Sequence, residues 1–448
     1  MIKKRVVIIG AGPTGLSAGY LLKKSGFKDF IILEKNSYAG GLSTSFKDKK
    51  GFTWDLGGHV IHSKNKEFTS FCKQILRNNL AKINRKAFIY FRGKFIPYPF
   101  QDNIAFLPKK YKIECLNSLI ENNKQLQNSK SAKSNNFKSW ILNNFGSGIA
   151  RHFMIPQNQK SWQYPLNKID TNWLYPRISL TNLKKIKIEC HKTLPKKLNW
   201  GSHQIFYYPK IGGIGFLWKK TAETFKSKVM FNSKIINIDL SKKIILVKQK
   251  NSLIKKIKFD YLISSCALND LIKILNAPTS IKKSALQLKY NSGLIVGLGY
   301  SKKPIIHDWH WIYFPQKKIP FFRLCLISNF GGKVIPKSYH SSFLAEISWR
   351  GKKPNQKKLL NKINKLIRKN FFKGETVRLI STFNRIIPNY YPIPTLHRDK
   401  ALKKINMFLN SQDIYSLGRF GSWKYETGNM DDCFIETDHK DLINIIIN

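Results

Sequence analysis

No run of about eighteen apolar residues occurs in this chain, so no helix in it should span a bilayer. Cysteine is sparse. Cys72, Cys115, Cys190, Cys266, Cys325 and Cys433 are scattered, with no CxxC and no pairing pattern, which argues against a disulfide framework and for buried thiols in a reducing, cytoplasmic setting. His59 and His62 lie three apart but lack cysteine or carboxylate company at ligand spacing, so no metal site is expected. There is no internal repeat. Acid is scarce: 25 Asp and Glu stand against 79 Lys and Arg, a formal net charge of +54. Strongly basic chains often bind nucleic acid or anionic membranes. Here, however, the lysines are spread over almost every segment, beside abundant Ile and Asn, and few runs exceed Lys-Lys. That pattern reads as an AT-rich coding bias on solvated faces, and no specific nucleic-acid partner is expected. The positive field should still speed capture of a doubly charged nucleotide and make it salt-sensitive.

What is present begins at Val6-Val7-Ile8-Ile9-Gly10-Ala11-Gly12-Pro13-Thr14-Gly15. The basic opening Met1–Arg5 and this apolar run mimic a signal peptide, but the run is short and leads into a glycine turn, so it reads as a buried strand. Leu16 to Leu22 then has amphipathic helical spacing. In such a strand, turn and helix, Gly10 permits the tight turn, Gly12 lets a pyrophosphate approach the backbone, and Gly15 lets the helix lie close to its strand. A dinucleotide is expected. The next strand, Asp29 to Glu34, ends in an acid placed to accept ribose hydroxyls, making Glu34 the candidate. A second glycine pair, Gly40-Gly41, followed by Leu42 and Ser43, gives a two-part pattern that resembles the FAD-binding fold of the amine oxidase and glutathione reductase type. FAD is favoured over NAD.

At 448 residues the chain is too long for one compact core and suits two or three lobes. Phe52 to Asp55 reads as a strand followed by glycines, and Ala87–Phe91 with Lys94–Gln101 as a hairpin turning at Arg92-Gly93. From about Asn103 to Gln157 the periodicity is helical, with a polar loop from Gln127 to Asn136. Pro165 to Trp200 is irregular, rich in Pro, Asn and Lys, and reads as a mobile flap. Ile205 to Gly215 reopens a strand, turn and helix. Val229 to Lys250 alternates like paired strands, and Asp260 to Ser265 adds one more. From Gly293 to about Phe383 strands dominate around a helical segment near Lys357 to Asn370. Ile414 to Gly421 is again a strand running into glycine, and Asn429 opens a helix aimed back at the cofactor.

The expected class is α/β: a Rossmann-like FAD-binding domain of the glutathione reductase type, with an inserted helical domain and a second, antiparallel-sheet domain. The expected parts are FAD-binding segments at 1–85, 201–285 and 411–448, a sheet-domain hairpin at 86–101, a helical substrate domain at 102–200 with its flap at 165–200, and the antiparallel sheet at 286–410.

Several stretches match more than a fold. Gly57-Gly58-His59-Val60-Ile61, Pro97-Tyr98-Pro99-Phe100-Gln101, Trp311-Ile312-Tyr313-Phe314-Pro315 with Pro320-Phe321-Phe322-Arg323, Tyr391-Pro392-Ile393-Pro394-Thr395, and Gly418-Arg419-Phe420-Gly421-Ser422-Trp423-Lys424-Tyr425-Glu426-Thr427-Gly428-Asn429 together resemble the UDP-galactopyranose mutase family. The likeness is nearer its eukaryotic branch than the common bacterial one, and runs from the first strand to the last helix. The resemblance implies an isomerase of galactofuranose and cell-wall biosynthesis, interconverting UDP-galactopyranose and UDP-galactofuranose without net redox change. In that family N5 of reduced flavin attacks the anomeric carbon and expels UDP, and a sugar–flavin iminium lets the ring reopen and reclose. The protein would chiefly position the sugar and stabilise the departing diphosphate.

Residue by residue, the resemblance implies that Arg177 and Arg323 pair with the diphosphate, which suits their bidentate geometry, and that Tyr313, Tyr391 and Tyr425 donate to phosphate. Tyr98, Phe100 and Gln101 would seat uracil. Asn158 and Trp162 would line the UDP channel, which Trp311 faces. The flavin side would take Gly57, Gly58, His59, Arg85, Gly418, Arg419, Asn429 and Met430 with the fingerprint residues, and Ile235 would hold adenine by its backbone. His59 is the further catalytic candidate. The chain departs from the family at His62 and Lys64, beside the flavin loop. It also stops soon after Asn429, so the oligomer of fungal members does not carry over. No second Rossmann fingerprint for NAD(P)H is visible, so the flavin would be reduced by NAD(P)H at its own face or by a separate protein. The alternatives are a flavin amine oxidase or desaturase on the same scaffold and, behind it, a basic nucleic-acid-binding protein.

Overall fold

The computed structural model describes residues 4–128, 134–175, 177–197, 204–438 and 446. All four residues of the first strand, Val6–Ile9, are buried, as befits a central parallel strand covered on both faces. It pairs in parallel with Phe30–Leu33 on one side and Tyr261–Ser264 on the other, while Val229–Met230 and Ile414–Ser416 form the edges. Five strands far apart in sequence thus make one sheet. The chain turns out of the first strand at Gly10, whose φ of +95° and lack of a Cβ are both needed: a Cβ there would lie 2.4 Å from Ser265 Oγ. The helix Pro13–Lys24 follows, with Pro13 in its first turn, where a missing N–H costs nothing. Gly15 lets it press on the turn, since a Cβ would fall 1.9 Å from the Gly10 carbonyl oxygen.

The second sheet has seven strands in the order Leu379–Ile393, Lys289–Tyr300, Ser341–Trp349, Arg323–Leu326, Trp311–Tyr313, Ala87–Phe91, Lys94–Pro97. Its pairs are antiparallel except Trp311–Tyr313 with Ala87–Phe91, which run parallel. Helices Lys109–Asn128 and Phe137–Ile149 pack together and bury Phe137, Ile141 and Phe145 in a core shared with Phe100, Phe153 and Trp162. A π-helical turn, Ala150–Met154, leads into Ile155–Trp162, so helix continues five residues past the expected end at Gln157.

Strand Ile205–Pro209 lies outside the parallel sheet and pairs antiparallel with Leu80–Asn84. Two expectations need correction. The stretch 165–200 is irregular only in part: Leu166, Ile169, Trp173 and Leu174 are buried, and Leu183–His191 is a helix capped by Asn182 that buries Ile186 and Cys190. Pro176 and 198–200 lie outside the described residues, as do 129–133, half of the loop expected from Gln127 to Asn136. Finally, helix Arg398–Asn410, expected with the antiparallel sheet, buries Ala401, Leu402, Ile405 and Leu409 against the core that holds Val7 and Leu262.

Candidate active site

A cleft of about 1560 Å³ runs from the end of the first strand to the helical lobe. That exceeds the roughly 300–1,000 Å³ that one small ligand fills, so the cleft has room for a dinucleotide and a second nucleotide together. At the nucleotide end stand Gly10, Gly12, Pro13 and Thr14, with Glu34, Gly41, Leu42, Ser43 and Ile235. Glu34 is buried, and its Oε2 accepts from Ala11 N at 2.8 Å while Oε1 accepts from Asn36 N and Nδ2. The carboxylate is therefore held in place by the turn it serves. The helix Pro13–Lys24 has no side-chain cap, leaving its N-terminus to an anion. Across the cleft Asn429 and Asp432 form a capping box at the start of helix Met430–Thr437.

Further in, buried side-chain nitrogens lack partners among the described residues. Arg85 Nε and Nη2 have none among the described residues, although its guanidinium lies over the rings of Tyr98 at 5.6 Å and Trp311 at 5.8 Å. Burial pulls its pKa down. A buried, unpaired guanidinium is costly unless a ligand supplies acceptors. His59 Nδ1 is likewise buried without a partner. Burial lowers the His59 pKa to about 4, with Arg419 and Arg323 adding to the effect, so the imidazole is neutral near pH 7. The glycine turn, the held Glu34 and these orphaned donors fit a flavin dinucleotide, whose pyrophosphate and ring carbonyls are all acceptors.

The other half of the cleft is walled by aromatics. Trp162 meets Tyr425 edge-on at 4.7 Å, Tyr391 lies 5.4 Å from Tyr425, and Tyr98 lies 5.2 Å from Tyr313. Burial raises the pKa values of Tyr98, Tyr313 and Tyr391, so these hydroxyls remain protonated donors. Arg419 sits over Tyr391 at 5.9 Å and donates Nε to the Gly428 carbonyl. Gln101, Asn158, Trp311, Gly58 and Met430 also line the cleft. Asn158 turns its amide to the Met154 carbonyl of its own helix at 2.8 Å.

Arg177 and Arg323 both reach this cleft, each already held. Arg177 donates to the carbonyls of Tyr425 and Glu426 and to Asn429 Oδ1, and contacts Asp432 Oδ2 at 3.2 Å. Arg323 makes two parallel hydrogen bonds to Glu346, a fully buried carboxylate that also accepts from Gly58 N at 3.0 Å and from the Tyr390 hydroxyl. Burial opposes ionisation of Glu346, but Arg323 and these hydrogen bonds override it and hold its pKa below the ordinary value.

Five expected residues do not line the cleft: Gly15, Gly40, Gly57, Phe100 and Gly418. The glycines lie behind it and serve packing; a Cβ on Gly418, for instance, would lie 2.0 Å from Thr14 Oγ1. Phe100 is a correction of more weight. It is fully buried and stacks on Phe153 at 4.9 Å, and Phe153 is the ring that faces the cleft. Sequence reasoning also missed Glu346 and Tyr390. Glu346 had a signal, since it is a lone acid inside the apolar run Phe343-Leu344-Ala345-Glu346-Ile347 of a chain poor in acid.

The flavin containing amine oxidoreductase family model matches residues 13–361. A crystal structure of reduced UDP-galactopyranose mutase superposes with a TM-score of 0.92 at 32% identity, over all of this chain and 94% of that one. A CLA-producing fatty acid isomerase from P. acnes, at 13% identity, a TM-score of 0.66 and 99% coverage of both chains, shares the fold alone. An L-amino acid oxidase of Cerastes cerastes is 33% identical over 93 residues, 20% of this chain and 18% of that protein. The matches to the first curated relatives span less than a quarter of those proteins' length.

Proposed function

Since the chain belongs to the flavin containing amine oxidoreductases and, within them, to the UDP-galactopyranose mutases, we propose that it interconverts UDP-galactopyranose and UDP-galactofuranose with FAD as its cofactor. The observation that carries this reading is the pairing, in one cleft, of two guanidiniums, Arg177 and Arg323, with a wall of un-ionised tyrosines. Each guanidinium is balanced by a carboxylate, Glu346 or Asp432, yet their N–H groups and the neutral tyrosine hydroxyls offer a diphosphate a set of donors that a neutral amine could not use. That argues against the amine oxidase reading.

The cofactor would be held by Gly10, Gly12, Pro13, Thr14, Glu34, Gly41 to Ser43, Ile235, Gly58, His59, Arg85, Arg419, Asn429 and Met430. When bound and reduced, the flavin supplies the nucleophile of the reaction. Neutral His59 would offer a hydrogen bond without adding charge. Arg323, its plane fixed by Glu346, would turn its remaining donors to the diphosphate, and Tyr313, Tyr391 and Tyr425 would donate alongside it. Phe153 would give the apolar face for uracil and Gln101 the amide for its edge, while Tyr98 and Trp162 close the channel against water. Arg177 would exchange its carbonyl partners for phosphate oxygens. Asn158 and Trp311 complete the channel.

We read the chain as a nucleotide-binding lobe interleaved with a helical lobe and a sheet lobe, and place it in the cytoplasm. In support, the six cysteines are all free and no described helix is long and apolar enough to cross a membrane. The deciding experiment incubates the dithionite-reduced protein with UDP-galactofuranose and resolves the products by chromatography. Formation of UDP-galactopyranose is expected, and its absence with fully flavinated, reduced protein would overturn the reading.

A further inference from the structure

Arg398 opens the helix Arg398–Asn410, whose Lys400, Lys403 and Lys404 are exposed, yet Arg398 itself is only 2% exposed. Its Nη1 and Nη2 donate to Glu426 Oε2 and Oε1 at 3.0 and 2.9 Å, and its Nε donates to Asp399 Oδ1 at 2.8 Å. Each of the two carboxylates leads to a different part of the site.

Glu426 leads to the loop that holds Arg177. Its main-chain carbonyl accepts from Arg177 Nε at 3.2 Å and Nη2 at 2.7 Å, and the neighbouring Tyr425 carbonyl accepts from Nη2 at 3.1 Å. Asp399 leads to the root of the segment that carries Arg177, because its Oδ2 accepts from Asn172 Nδ2 at 3.4 Å. The same root is tied to the turn before Arg398 by backbone contacts, Asp170 N to the Pro394 carbonyl and a bridge between Ile169 and Thr395. Next to Asn172, Trp173 is buried and meets the Tyr425 ring edge-on at 5.4 Å. One buried guanidinium therefore links the root of the segment to the loop its arginine rests on.

A buried ion pair contributes little stability that apolar packing of equal volume would not. What apolar packing lacks is direction. Two parallel hydrogen bonds fix the plane and the distance of the Glu426 carboxylate, and with it the orientation of the carbonyls two bonds or more along the chain. We infer that Arg398 is a positioning residue for the Arg177 lid: it sets the Tyr425 and Glu426 carbonyls that hold Arg177 before a diphosphate arrives, and keeps the lid's root in register with them. The inference rests on the proposed role of Arg177 toward a nucleoside diphosphate. It makes lid closure an exchange between two satisfied states of one guanidinium, carbonyl-bound and phosphate-bound, so that neither leaves buried donors unpaired. Without the anchor, the loop drifts and substrate binding weakens before turnover does.

The test uses flavinated Glu426→Gln, Arg398→Lys and Arg398→Met proteins. Titration gives the Kd for UDP and for uridine, and trypsin digestion with and without saturating UDP reads cleavage at Lys184, Lys185 and Lys187. Glu426→Gln and Arg398→Met should bind UDP about tenfold more weakly, keep wild-type uridine affinity and FAD content, and lose the protection UDP gives the segment. Arg398→Lys should fall between, because an ammonium cannot hold Glu426 in the bidentate manner while also reaching Asp399. Wild-type UDP affinity and protection in Glu426→Gln would overturn the inference. So would loss of FAD in step with UDP in all three variants, which would mark Arg398 as scaffold alone. A wild-type protein that binds UDP no more tightly than uridine overturns the role of Arg177 first, and this inference with it.

Discussion

Arg323 and Glu346 stand directly opposite each other on adjacent antiparallel strands and close two parallel hydrogen bonds, Nε to Oε1 at 2.7 Å and Nη2 to Oε2 at 2.9 Å. Because the sheet register sets the pair, the guanidinium plane is fixed before any ligand binds. Two of its five N–H groups are held by Glu346 and its guanidinium also hydrogen-bonds Tyr313, which leaves further donors for a substrate.

Replacing Arg323 by Ala should therefore reduce kcat/KM by about 2–4 kcal/mol of transition-state stabilisation, as for loss of a preorganised oxyanion donor. Arg323→Lys should recover only part of this, since one ammonium cannot serve Glu346 and a diphosphate with the same geometry. Near-normal kcat/KM in Arg323→Ala, measured on reduced enzyme, would refute the assignment.

Glu346→Ala should be the more damaging change to stability. It leaves Arg323 buried without a counter-charge, at a cost of about 3–5 kcal/mol. Glu346→Gln keeps an acceptor and should cost less, while still lowering kcat/KM. Urea unfolding of the three proteins side by side checks the order.

Phe100 and Phe153 should separate cleanly. Phe100→Ala removes a ring from the helical core and should destabilise by about 3–5 kcal/mol, with little effect on KM in protein that remains folded. Phe153→Ala should raise the Kd for both UDP and uridine. The reverse outcome would return the uracil face to Phe100.

His59 has a pKa lowered to about 4, below its unfolded value of roughly 6.5. Between those values the unfolded chain binds more protons, so the stability His59 contributes is fully present above about pH 6.5 and lost as the pH falls toward 4. Asp55 runs the other way. Burial pushes it up to about 6 against hydrogen bonds from Ser45 and Tyr208, so its contribution is lost as the pH rises through 6. His59→Gln should flatten the acid-side loss of stability, and the His59 ring proton in an NMR titration should not shift between pH 6 and 8.

The net charge of +54 should appear in kinetics rather than in fold. As ionic strength rises from about 0.01 to about 0.15 M, the Debye length falls from about 30 to about 8 Å, and kcat/KM for a UDP-sugar should fall several-fold with kcat unchanged. A salt-independent kcat/KM would show that the field plays no part in capture.

The parts legible in the sequence were those whose physics is local. The strand, turn and helix from Val6 to Lys24 announce themselves through glycines that no side chain could replace, and Asn429 marks its helix with a four-residue capping box that ends at Asp432. Pairings across long sequence distances were not legible. Nothing near Ile205–Pro209 says that its partner is Leu80–Asn84, and nothing near Arg323 says that Glu346 will face it. Phe100 and Phe153 are equally good rings on paper, and which one meets the cleft depends on how the helical lobe stacks them. Arg398 reads as one more cation at the head of a lysine-rich helix; only burial distinguishes it.

The parallel sheet also has a history in time. Its strands lie at residues 6–9, 30–33, 229–230, 261–264 and 414–416, so a chain emerging from the ribosome holds its first two strands for nearly 200 residues before the next can pair. The last edge strand can form only after residue 416 has emerged, and Arg419 and Asn429 come later still. Non-local pairing of this kind is slow, and it leaves apolar strands such as Val6–Ile9 exposed in the meantime. The nascent chain should therefore lean on holdase protection until that edge strand is made, and cofactor capture must wait for Arg419 and Asn429.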